Sequence, residues 1–110
     1  MKILKKYVTK KQAELLLKKG FEFYVYYPEQ WEVIEWFRIK HKINIEANYL
    51  SNINKYRWLA KPMNIIPKNY KSRIEYAKAV DKYYGKLNYN TPHEALKYAI
   101  DCAIKTINLK

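Results

Sequence analysis

The sequence predicts an α+β domain: a two-layer fold with a three-stranded sheet and helices packed on one face, in the order α-β-α-β-β-α-α. Three observations predict it. Capping residues followed three places later by glutamine or glutamate recur along the chain. Three stretches alternate apolar and polar residues with period two. No repeat, low-complexity tract or shift in composition divides the 110 residues, so a single domain is expected over residues 1–110.

A basic arm, residues 1–8, comes first. Thr9 and Gln12 have the capping-box spacing and open a helix over residues 10–19. Ala13, Leu16 and Leu17 form its inward stripe, Gly20 supplies a left-handed stop, and Phe21 folds back on Leu16. Residues 21–27 read as a strand. Phe21, Phe23, Val25 and Tyr27 point one way, and Glu22, Tyr24 and Tyr26 the other. Pro28 ends that strand and suits the first turn of a second helix. Glu29, Glu32 and Glu35 early in this helix and Arg38, Lys40 and Lys42 late in it complement the helix dipole. Val33, Ile34, Phe37 and His41 make its inward stripe, flanked by Trp31 and Trp36.

A hairpin follows. Ile43, Ile45, Ala47 and Tyr49 alternate with polar residues, residues 51–54 turn, and Tyr56, Trp58 and Ala60 alternate again. Pro62 ends the hairpin, and residues 62–71 read as a loop. Ser72 and Glu75 open a third helix reaching about Tyr84, with Gly85 as its stop. Thr91-Pro92-His93-Glu94 is the strongest helix start in the chain. Leu96, Ala99, Ile100, Ala103, Ile104 and Ile107 then give a clean apolar face. A crossover from the first strand to the second through helix two is expected to be right-handed if the two lie parallel in one sheet.

Composition bounds the function. The longest apolar run is Phe23 to Tyr27, far short of the ~20 residues that span a bilayer. Only Ile3 and Leu4 separate the first lysines, so no signal-peptide core is present and a cytoplasmic protein without a membrane partner is expected. The formal net charge is +12, which points to a polyanion partner. Only Arg38, Arg57 and Arg73 of the 22 basic residues are arginine, however, and the chain is crowded with Lys, Ile, Asn and Tyr. Those residues share A- and T-rich codons, so codon bias competes as the source of the charge. Arginine is the residue that reads bases in bidentate fashion.

Three stretches carry a family resemblance: Thr9-Lys-Lys-Gln-Ala-Glu-Leu through Gly20-Phe21, the run from Glu35-Trp-Phe-Arg to Glu46, and Thr91-Pro-His-Glu-Ala-Leu-Lys-Tyr-Ala-Ile100. In this order and spacing the chain resembles small uncharacterised proteins of phages and mobile elements of gut bacteria. The resemblance spans most of the chain except about residues 62–86, which look like an insertion carrying a helix. It implies a small accessory protein rather than a metabolic enzyme. It transfers no activity and no catalytic residues.

The residues themselves offer little chemistry. His41 and His93 lie in different segments and Cys102 is the sole cysteine, so no disulfide, metal site or cofactor is expected. Cys102 falls inside a helix rather than at its start, where a thiol would be activated. The two glycines do not form a phosphate loop. A non-enzymatic binding protein is the expectation, with sequence-tolerant nucleic-acid contact through Lys2, Lys5, Lys6, Lys10 and Lys11 leading. Charge is densest there, with seven lysines and one glutamate in the first twenty residues. A second surface is the outer sheet face, where Tyr24 and Tyr26 would stand among Lys55, Arg57 and Lys61 and stack on a single strand. That face also reads as a plain solvated one. The alternative function is a protein-interaction module, including a homodimer, because tyrosine is enriched at protein interfaces.

Overall fold

The computed structural model describes residues 6–23 and 27–108. These form helices α1 (Lys10–Lys18), α2 (Gln30–Lys40), α3 (Arg73–Val80) and α4 (Pro92–Asn108) and strands β1 (Ile43–Leu50) and β2 (Lys55–Pro62). The fold class is α+β, with a two-stranded antiparallel sheet packed against helices.

Helix α1 starts and stops where its local chemistry dictates. Thr9 N–H donates to Gln12 Oε1 at 3.0 Å, and Gln12 N–H donates to Thr9 Oγ1 at 3.1 Å. At the other end Gly20 takes φ +95°, while Gly20 N–H donates to Leu17 O at 3.2 Å and Phe21 N–H to Leu16 O at 3.0 Å. The inward stripe is Gln12, Ala13 and Leu16, not Leu17, which is 54% exposed.

The first expected strand is not seen among the described residues. Residues 21–23 are not in a strand, Tyr27 is a bend, and residues 24–26 lie outside the described residues. The alternation of Phe21 and Phe23 has another use. Phe21 is buried with its ring edge-on to Trp36 of α2 at 5.3 Å, and Phe23 lies 5.9 Å from Phe21. Aromatic alternation fits a pleated sheet, but these rings fill the space between α1 and α2. With two strands in the sheet, the parallel crossover through α2 is not formed.

The hairpin pairs Ile43 with Pro62 and Tyr49 with Tyr56. Residues 51–54 connect the strands, and Asn54 adopts φ 52° there, a conformation asparagine tolerates. One face of the hairpin carries Ile43, Ile45 and Ala60, all buried in a core with α1, α2 and α4. Helix α4 carries Ala95, Ala99 and Ala103 at 0% exposure, the last two in this core. These small side chains repeat every fourth residue and so share a face that can lie close to its neighbours. Ile100, Ile104 and Ile107 fill the flanks, each contributing roughly 1.5–3 kcal/mol by burial. Two buried glutamines fasten α1 and α2 to α4. Gln12 Nε2 of α1 donates to Lys97 O at 2.7 Å and to Asp101 Oδ1 at 2.8 Å. Gln30 Nε2 of α2 donates to His93 O at 3.0 Å.

The helices are not confined to one face. Leu59, on the opposite side of β2, is only 5% exposed. Its neighbour Lys61 donates through Nζ to Tyr76 Oη of α3 at 3.1 Å. Ser72 caps α3 by accepting Glu75 N–H at 3.2 Å, whereas Glu75 Oε2 accepts from Lys71 N–H instead of closing the box on Ser72. The helix runs on as a single tight turn, Asp81–Tyr83. Gly85 is not a helix stop. Its N–H donates to Trp58 O at 2.9 Å, and a Cβ there would lie 2.4 Å from Trp58 Nε1. Glycine is required for this close approach. Residues 84–89 thus run along the outer edge of β2, with isolated bridges at Leu59–Tyr84 and Tyr56–Tyr89.

Candidate nucleic-acid interface

The lysines picked from the sequence fall into two groups that the fold keeps apart. Lys2 and Lys5 lie outside the described residues, as do Tyr24 and Tyr26. Lys6, Lys10 and Lys11 are exposed. Lys6 is held in place, because its carbonyl accepts Gln30 N–H at 2.9 Å while Val8 N–H donates to Pro28 O at 3.0 Å. Residues 6–8 therefore lie pinned against the start of α2. No acidic residue occupies the first turn of α1, where Lys10 and Lys11 stand.

Lys55, Arg57 and Lys61 share the hairpin face that the α3 segment covers, and all three are half-buried. Lys55 Nζ bonds Asn90 Oδ1. Lys61 reaches Tyr76, lying 5.6 Å from its ring centroid. Arg57 lines a small cavity of about 300 Å³ with Val80, Asp81 and Tyr84. Its Nε is buried without a hydrogen-bond partner among the described residues. This is not an open solvated face.

Pinning residues 6–8 against α2 brings aromatic residues from separate segments to one junction. Tyr7 bridges Glu29 in backbone pairing and is 52% exposed, Tyr27 is 38% exposed, and Trp31 in the first turn of α2 is 64% exposed. The Trp31 indole N–H is held by the Glu29 carboxylate. Three exposed rings thus sit around one junction beside Lys6. Nothing in the sequence brings Tyr7 to the start of α2, because the Tyr7–Glu29 bridge is tertiary.

At the far end of α2 lies a cleft of about 780 Å³ whose lining comes from segments far apart in the chain. Its apolar lining includes Ile43, Pro62, Ile65 and Tyr83, with Cys102 beside them. Its cations, Lys42, Lys82 and Lys105, come from three separate segments, and no carboxylate lines it. Lys42 follows the His41 cap of α2 and takes φ +54°, a left-handed conformation costing about 1–2 kcal/mol in a non-glycine residue. Its carbonyl accepts Met63 N–H at 2.8 Å, which locks the turn. Cys102 Sγ donates to Lys82 O at 3.7 Å and ties the Asp81–Tyr83 turn to α4. Burial pushes the Cys102 thiol up from its ordinary value, outweighing the opposing pull of Thr106 and Lys105. The thiol is therefore protonated at neutral pH.

The two histidines make packing and hydrogen-bond contacts. His93 Nδ1 lies 3.2 Å from Gln30 Oε1. His41 packs edge-on to Trp36 at 4.7 Å. No group of three His, Cys, Asp or Glu residues among the described residues could hold a metal ion. No helix among them is long and apolar enough to cross a membrane. Comparison with protein-family models, with curated proteins and with solved structures finds no match to this chain.

Proposed function

We propose that the protein is a non-enzymatic binding protein that contacts single-stranded nucleic acid without strong sequence preference. The observation that carries this reading is the junction of residues 6–8 with α2. There the exposed rings of Tyr7, Tyr27 and Trp31 stand beside Lys6, with Lys10 and Lys11 at the start of α1. Bases stack on exposed aromatic rings whatever their identity, and each stack contributes about 1–3 kcal/mol. Lysines beside the rings meet the phosphates. Among the described residues, Lys86–Asp81 is the one lysine ion pair, and it lies away from this junction.

The test is binding of a short single strand across a salt series. Affinity should fall as salt rises, with a slope of about 0.7 per phosphate neutralised. Changing Lys6, Lys10 and Lys11 to alanine together should reduce that slope by about 2. Trp31→Ala should lower affinity by about 1–3 kcal/mol with the slope unchanged. No binding at low salt would dismiss the reading.

The same rings support a second reading, a protein-interaction module that pairs with itself or with another protein. Association that resists salt and is lost in Trp31→Ala would favour it.

A further inference from the structure

We propose that the cleft at the far end of α2 is a nucleotide-binding site, which receives one unpaired nucleotide with its phosphate among Lys42, Lys82 and Lys105 and its base against Tyr83 and Ile65. The inference rests on the nucleic-acid reading above but concerns a separate site. Helix α2 has 11 residues, so roughly 16 Å separates Trp31 at its start from His41 and Lys42 at its end.

Three features select the ligand. The first is size. About 780 Å³ lies within the usual range of small-ligand sites, about 300–1,000 Å³. The second is the charge pattern. Three exposed lysines reach the cleft from the α2–β1 turn, the Asp81–Tyr83 turn and α4, and no carboxylate answers them. Converging cations without a protein counter-ion favour an anion, and phosphate is what lysine meets as a point charge. The third is the floor. A free inorganic anion would leave Ile43, Pro62, Ile65 and Tyr83 unused. A ligand with a flat apolar ring and a phosphate uses floor and rim together. Tyr83 already lies under a cation, with Lys82 Nζ 5.2 Å from its ring centroid. The Asn64 amide adds a donor and an acceptor for a base edge.

Cys102 makes the cleft directly testable, because it lines the cleft and is the chain's sole cysteine. Alkylation of the full chain by iodoacetamide therefore reports on this site alone. The probe is a short 5′-phosphorylated oligothymidylate at low salt, with its binding followed by fluorescence anisotropy in the same sample. With free strand at about ten times its Kd, mass action leaves roughly one cleft in ten open, so alkylation should slow about tenfold. Lys82→Glu with Lys105→Glu, both at exposed positions, should remove this protection while the strand still binds. If the strand binds and Cys102 reacts at its free rate, the cleft proposal falls and the nucleic-acid reading stands. If the strand does not bind at all, that reading falls, and thymidine monophosphate decides the cleft alone. Protection by the mononucleotide but not by equal inorganic phosphate upholds the site. Equal protection by both, or by neither, overturns it.

Discussion

The two sides of the hairpin are built from different materials. On one side Ile43, Ile45 and Ala60 meet the aliphatic faces of α1, α2 and α4, and Phe37, Leu16 and Ile100 reach 0% exposure. On the other side Leu59 and Val80 are the buried hydrophobics, and the rest of the cover is half-buried Tyr76 and Tyr84 with Lys61 lying against Tyr76. The first side is held by volume and apolar area. The second is held by a few directional contacts and by residues whose bodies are apolar and whose tips are polar. The contrast teaches that a covered sheet face need not be an aliphatic one.

The sharpest way to break this comparison is a pair of core truncations followed by urea denaturation. Phe37→Ala should cost about 3–5 kcal/mol, because a fully packed ring leaves a cavity. Leu59→Ala should cost about 2 kcal/mol, the low end for leucine, because the polar-tipped cover can settle into the gap. Equal losses would abolish the distinction. Next in size is Gly85→Ala. Its Cβ would fall 2.4, 2.5 and 2.9 Å from three atoms of the Trp58 indole, a rigid neighbour. Overpacking of this kind should cost about 1–3 kcal/mol and shift the tryptophan fluorescence. Wild-type stability in this variant would mean that residues 84–89 can leave the strand edge freely. Smaller still is Ser72→Ala, which removes the cap of α3 and should cost about 1 kcal/mol. If α3 contributes nothing to stability, the loss will be unmeasurable.

The smallest effect is one of pH, at the seam where the two regions meet. Burial pushes Cys102 up from 9.0. Burial, then Tyr98 and Glu94, push Tyr89 up from 10.0. Both groups are held neutral by the fold, so the unfolded chain releases these protons first. Their contribution is complete below the ordinary values and is lost as pH rises through the raised ones. Thermal midpoints should therefore fall in the alkaline range, first from the thiol and then from the phenol. Cys102→Ala and Tyr89→Phe should each flatten their part of the fall. A midpoint that holds steady across this range would refute the assignment.

What could be read from the sequence was local. The Thr9–Gln12 box, the Gly20 stop, the Ser72 and Thr91 caps and the hairpin were all legible, because each is decided within a few residues. The α4 face was legible because its apolar spacing is regular over four turns. The strand at 21–27 was misread because alternating aromatics fit a pleat as well as they fit a groove between helices. The cover on the second side was illegible because it is written in tyrosine and lysine, which resemble a solvated surface. The candidate sites were the least legible. Of the chosen lysines, Lys6, Lys10 and Lys11 are exposed as expected, but Lys55 and Lys61 are engaged. Lys42, Lys82 and Lys105 are far apart in the chain and share no pattern, so only the fold brings them to one cleft.

Residues 84–89 also bear on how copies of this chain meet one another. An open strand edge is a row of unpaired N–H and C=O groups that another molecule can extend. On β2 that row is occupied, with Trp58 O taken by Gly85 and both backbone groups of Tyr56 taken by Tyr89. Trimming the chain from α3 through Tyr89 would free this edge and bare Leu59 beside it. The shortened chain would then offer a template for edge-to-edge aggregation, so the stretch guards against self-association as well as contributing to the fold.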